Sequence, residues 1–124
     1  MGKGLSPTQR TLRALRQEGR ICAIAEKFLH KVGPFGIRKD LFGFIDIIVL
    51  DPIRGIGGIQ STGQAFRAHF DKLMDSECSE NVIAWLKAGG FVELWGWRKV
   101  KLKRGGKAQR WMPRVKEIML GDFE

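Results

Sequence analysis

Polar and apolar positions along residues 6–19 alternate with the spacing of a helix. Ser6-Pro7-Thr8-Gln9 supplies a serine cap, a proline at the first helical position and a glutamine at the capping-box position. This helix should run to about Glu18, with Gly19 as its stop. Leu12 and Leu15 turn inward, while Arg10, Arg13 and Arg16 share the outer side and Arg20 lies just beyond. Ile21 to Leu29 reads as a strand with Cys22, Ile24, Glu26 and Phe28 on one face. Gly33-Pro34 and Gly36 predict a loop, and Ile37 to Asp40 a short extended piece. Leu41 to Leu50 is the most deeply buried strand. Asp51-Pro52 and the glycines from Gly55 to Gly58 bracket a turn before a strand that reaches Thr62.

Gly63 separates that strand from a helix over about Gln64 to Asp75, whose core face is Phe66, Phe70 and Leu73. A second helix, roughly Ser79 to Ala88, packs through Val82, Trp85 and Leu86 and ends at Gly89-Gly90. Phe91 to Lys103 is a long strand, Gly105-Gly106 a hairpin turn, and Ala108 to Met112 the returning partner. On the long strand, Val92, Leu94, Val100 and Leu102 read as core. Phe91, Glu93, Trp95, Trp97, Lys99, Lys101 and Lys103 share the other side, where Trp95 completes the core and Trp97 is exposed. The order predicts a single α/β (α+β) domain spanning residues 1–124, with one mixed β-sheet flanked by helices.

No apolar run is long enough to cross a bilayer, because Gly43 and Asp46 interrupt the longest one. The N-terminal residues show no apolar signal-peptide core, so the chain is expected to act in the compartment where it is made. Cys22 and Cys78 lie in unrelated contexts and read as unpaired thiols. Charge is more informative. The net charge is +9, and residues 94–116 hold nine basic residues and no acidic one. That block carries Trp95, Trp97 and Trp111, which favours a nucleic-acid backbone as partner over a merely solvated basic surface.

Asp46 is a lone carboxylate in an apolar run and needs a hydrogen-bond partner, a cation or a metal. Capping of a local turn at Gly43 is the plain alternative. Gln60 and Thr62, two apart on the next strand, emerge on one face, with Ser61 on the other. One acid and two polar groups on adjacent strands can form an oxygen cage for a hard divalent cation. The same triplet is also an ordinary polar strand end.

Residues Arg38-Lys39-Asp40-Leu41-Phe42-Gly43-Phe44-Ile45-Asp46-Ile47-Ile48, followed by Ile59-Gln60-Ser61-Thr62, resemble the PD-(D/E)XK nuclease superfamily. The likeness is to its phage and Holliday-junction-resolvase-like members. The resemblance implies a restriction-endonuclease-like core in which a helix precedes a β-meander, followed by helices and a hairpin. It implies a Mg²⁺-dependent DNA endonuclease, with Mn²⁺ as a substitute ion, in the cytoplasm of a bacterium or a phage-infected host. Asp46 then matches the motif aspartate that ligates the metal, and Gln60 the Glu/Gln position. Glu26 or Asp40 matches an additional early acid. Thr62 departs from the pattern, which places lysine there; Lys39 or Lys27 would have to substitute, or the site is weakened. Arg10, Arg13, Arg38, Lys39, Trp97, Arg98, Lys99, Lys101, Lys103 and Arg104 are the expected DNA contacts. A homodimer is left open, as are a catalytically weakened DNA-binding protein on the same fold and an RNA-binding accessory protein.

Overall fold

The structure, a computed structural model, describes residues 4–29 and 37–124; the side chains of residues 28, 29, 37 and 38 lie outside that description. The expected loop at Gly33-Pro34 and Gly36 falls outside it too.

Helix α1 spans Pro7–Gln17 and begins on the capping box the sequence specifies. Ser6 Oγ accepts from Gln9 N, and Gln9 Oε1 accepts from Ser6 N. Strands β1 (Ile21–Ile24) and β2 (Lys27–Leu29) divide what reads as one strand. The division has a cause: Ala25 N and Glu26 N both turn to Asp46 O, at 2.7 and 3.4 Å, and leave the ladder. β2 pairs with β3 (Ile37–Lys39) as a separate two-stranded hairpin.

The expected strand over Leu41 to Leu50 is shortened to β4, Ile47–Asp51. Residues 40–45 form a turn, because Phe42 and Gly43 have φ of 55° and 81°, and Gly43 N and Phe44 N donate to Asp40 O and Leu41 O. Asp46 therefore sits at the mouth of β4 rather than inside it. β5 covers Gly55–Thr62, so Gly55 to Gly58 belong to the strand and not to a turn. The chain reverses instead at residues 52–54, where Asp51 Oδ1 accepts from Ile53 N and Arg54 N at 2.9 Å each.

Helices α2 (Phe66–Met74) and α3 (Ser76–Lys87) follow. Asp75 caps α3 through Ser76 N, so this helix starts three residues before the expected Ser79. β6 spans Phe91–Lys101 and β7 Gln109–Ile118. β7 is longer than expected and runs through Pro113, which an edge strand tolerates. A short 3₁₀ turn, Leu120–Phe123, closes the described chain.

The five-stranded sheet has the order β1-β4-β5-β6-β7. β1, β4 and β5 form an antiparallel meander, β6 joins β5 in parallel, and β7 returns antiparallel to β6. The parallel step is made possible by α2 and α3, which cross over the sheet between β5 and β6. α1 covers one face through Leu12 and Leu15, against Cys22, Ile47, Val49, Ile59, Trp95 and Trp97. α2 and α3 cover the other through Phe66, Leu73, Cys78 and Val82, against Phe44, Ile45, Val92, Leu94 and Ile118.

Cover on both faces corrects the expectation for Trp97. Residues 91–97 are buried on both sides of the strand, and Trp97 is only 7% exposed. Its Nε1 donates to Thr11 Oγ1 at 2.9 Å. No described helix is long and apolar enough to cross a membrane.

Candidate metal centre and basic ribbon

Three acids converge where β1, β4 and the β2–β3 hairpin meet. The β2–β3 ladder ends at the pair of Lys27 with Lys39, and Glu26 and Asp40 are the residues next to that pair. Asp46 lies beside both, its backbone N bonded to Ile59 O at 2.9 Å and its O accepting from Ala25 and Glu26. Carboxylate oxygens of Glu26, Asp40 and Asp46 all lie within 4.8 Å of one another.

Gln60 completes the group from β5. Its Nε2 donates to Asp40 Oδ2 at 3.2 Å. Its Oε1 has no hydrogen-bond partner among the described residues although the side chain is only 1% exposed. An unmet buried acceptor costs on the order of 1–3 kcal/mol, a cost that a cation beside Gln60 and the three acids would offset. Ser61, pointing the other way, gives its backbone N to Asp46 Oδ2 at 2.8 Å and its hydroxyl to Thr11 at 2.8 Å. Asp46 and Gln60 are thus fixed by the backbone of two adjacent strands.

Burial pushes the Asp46 carboxyl up to about 8, and a hydrogen bond shared with Asp40 adds to it, along with the charges of Asp40 and Glu26. The Ser61 N–H opposes the shift. The protonated form of Asp46 is favoured on balance. The donor set is all oxygen, three carboxylates and one amide, which suits a hard ion such as Mg²⁺ or Mn²⁺. Both Glu26 and Asp40 belong to this group beside Asp46.

Two residues near this group give no sign in the sequence. Lys72, on α2, brings Nζ to 3.8 Å from Asp40 Oδ2. His69, one turn earlier, has a buried Nδ1 with no hydrogen-bond partner among the described residues. Burial first, then the charge of Lys72, holds His69 below its ordinary pKa against the pull of Asp40. The helical spacing of Phe66, Phe70 and Leu73 marks the core of α2 but says nothing about where its polar side points. Thr62 is buried at 5% exposure, whereas Lys39 and Lys27 have exposed side chains. The side chain of Arg38 lies outside the described residues, although its backbone is in β3.

The remaining expected contacts lie beyond the end of β5, on the part of β6 and β7 that outruns it, and on α1. Parallel pairing of β5 with β6 ends at Thr62 and Gly96, and beyond it β6 and β7 continue as a two-stranded ribbon. Arg98, Lys99, Lys101, Lys103 and Arg104 are exposed along it. Arg13 is exposed on α1, and Arg10 stacks on Trp111 with its guanidinium 4.0 Å from the ring centroid.

Set beside family models, curated proteins and solved structures, the chain matches none of them.

Proposed function

We propose that the chain is a Mg²⁺-dependent DNA endonuclease with a restriction-endonuclease-like core. The observation that carries this reading is the convergence of Glu26, Asp40 and Asp46, with Gln60 bonded to Asp40 and its buried Oε1 without a partner among the described residues. The topology supports it: a helix, a three-stranded antiparallel meander, a helical crossover and a parallel strand. The acids stand at the mouth of the meander's central strand, and the amide on the strand after it, as the resemblance implies.

Glu26, Asp40, Asp46 and Gln60 would hold the ion. Bound there, Mg²⁺ would supply a Lewis acid for a phosphoryl oxygen and a water of lowered pKa. The residues of the chain do the rest. Asp46 would ligate as the carboxylate, releasing its proton to solvent, and Gln60 would present its amide oxygen. Lys72 contributes the positive charge that Thr62 cannot, beside the carboxylates where charge develops on a phosphate. The basic ribbon contacts DNA backbone without reading sequence, which suits an enzyme selective for DNA structure, such as a branch.

Thr62 favours one other reading, a DNA-binding protein whose catalytic site has weakened. The two separate in a cleavage assay on linear, single-stranded and four-way-junction DNA with Mg²⁺ or Mn²⁺. The endonuclease reading expects cleavage by the wild type and none by Asp46→Asn. Equal cutting by the two, or no cutting together with salt-sensitive binding by both, would rule it out.

A further inference from the structure

Where β6 outruns β5, the corner between the ribbon and the start of α2 forms a groove of about 690 Å³. Trp97 and Trp111 line it, with Arg98, Lys99, Arg114 and Gln64 around them. A smaller groove of about 280 Å³ shares both tryptophans and continues toward α1, where Arg10 and Arg13 line it. No acidic residue lines either groove among the described residues. Five cations thus line the two grooves: Arg10, Arg13 and Lys99 on the Trp111 side of the ribbon, and Arg98 and Arg114 on its other side, where Arg114 stacks on Phe66.

Of the two tryptophans, Trp111 is the one open to a ligand. Its partner Trp97 is buried against Thr11, but Trp111 remains 37% exposed even with Arg10 stacked on it and Lys99 Nζ 5.2 Å from its centroid. Phosphates alone need only the cations. An indole face within a cationic groove adds nothing to contact with duplex DNA, whose base faces are covered by their neighbours. It adds a great deal to an unpaired base, which stacks on aromatic rings whatever its identity.

We infer that this double groove binds a single-stranded DNA segment, with an unpaired base stacked on Trp111 and its flanking phosphates held by Arg13 and Lys99 beside that ring and by Arg98 and Arg114 round the free edge of β6. This deepens the nuclease reading and rests on it for the identity of the substrate. The groove begins at Gly63 and Gln64, directly after β5. Three residues along a strand separate Gly63 from Gln60, about 10 Å, so a strand of a few nucleotides could join the stacked base to the acids. The substrate implied is DNA with an unpaired stretch next to the bond that is cut.

The test is binding by fluorescence anisotropy in EDTA, where no cleavage occurs. The probes are labelled oligo(dT), an abasic strand with the same number of phosphates, and a blunt duplex of the same length. Oligo(dT) should bind about tenfold or more tightly than the abasic strand. Trp111→Leu, which keeps apolar bulk without a stacking face, should abolish that difference, and Trp111→Phe should preserve most of it. Arg114→Ala should weaken both strands alike and flatten the salt dependence. Equal binding of the abasic and dT strands by the wild type overturns the inference without recourse to any variant, as does duplex binding tighter than oligo(dT). Selective oligo(dT) binding without cleavage in Mg²⁺ would count against the nuclease reading alone. Cleavage without that selectivity would count against the groove alone.

Discussion

Asp46, just before β4, and Gln60, on β5, meet through a third residue: Asp40 stands beside the first, whose carboxyl it helps to raise, and accepts the amide N–H of the second at 3.2 Å. Burial and the neighbouring Asp40 both favour the protonated form of Asp46. The site's stability and its ion affinity should both depend on pH.

For stability, the Asp46 carboxyl ionises at about 8 in the folded chain and near 3.8 in the unfolded one. Between those values the folded chain binds the extra proton, so the metal-free protein loses stability as pH rises through that window. Thermal melts in EDTA at pH 5 and pH 8 should show the wild type losing more than Asp46→Asn, which cannot titrate. Parallel behaviour of the two proteins would show that the proton is not held as described.

A divalent ion must displace that proton. Apparent Mg²⁺ affinity should therefore climb with pH below about 8, approaching tenfold per unit. Calorimetry in two buffers of different ionisation enthalpy would read the proton released. An affinity flat between pH 6 and pH 8 would mean that Asp46 is not a ligand.

Gln60→Glu adds a fourth carboxylate at a fully buried position. Mg²⁺ should bind about tenfold or more tightly, because Coulomb attraction to the ion grows. The ion-free protein should melt at a lower temperature, because a further acid is desolvated among like charges. Unchanged affinity would place the ion away from Gln60.

Lys72→Met should slow single-turnover DNA cleavage by about 100-fold or more while leaving Mg²⁺ affinity equal or higher, since a competing positive charge is gone. Lys72→Arg should recover part of the rate. Cleavage at the wild-type rate by Lys72→Met would return attention to Lys39.

Thr11 supports both the sheet and the groove. Its Oγ1 accepts from Ser61 Oγ and Trp97 Nε1 and donates to Pro7 O at 3.0 Å. Thr11→Val keeps the shape and strands two buried donors, which should cost about 2–4 kcal/mol in urea unfolding. Thr11→Ser should cost much less.

The helices were legible because local rules govern them: the capping box of α1 is written in four residues. The proximity of Asp46 and Gln60 was legible too, since adjacent strands and a period of two suffice to place them. Other features depend on tertiary context. The break at Ala25-Glu26 is made by the carbonyl of Asp46, far away in sequence, while Ile21 to Leu29 alone continues an unbroken strand pattern. The Phe42-Gly43 turn hides inside an apolar run. Trp97 was read as exposed by an alternation rule for sheets covered on one face, whereas α1 covers the second face here. Lys72 could not be found from periodicity, which identifies the buried side of a helix and not what its polar side meets.

Glu26 and Asp40 are the two points at which the chain leaves the main fold for the β2–β3 hairpin and rejoins it. An ion shared by these two acids and by Asp46 on the sheet would act as a removable clasp at the neck of that excursion. Loading the site would tie a segment that departs from the sheet back onto it, and chelation would untie it. The hairpin's resistance to a protease would then report occupancy as directly as any cleavage assay.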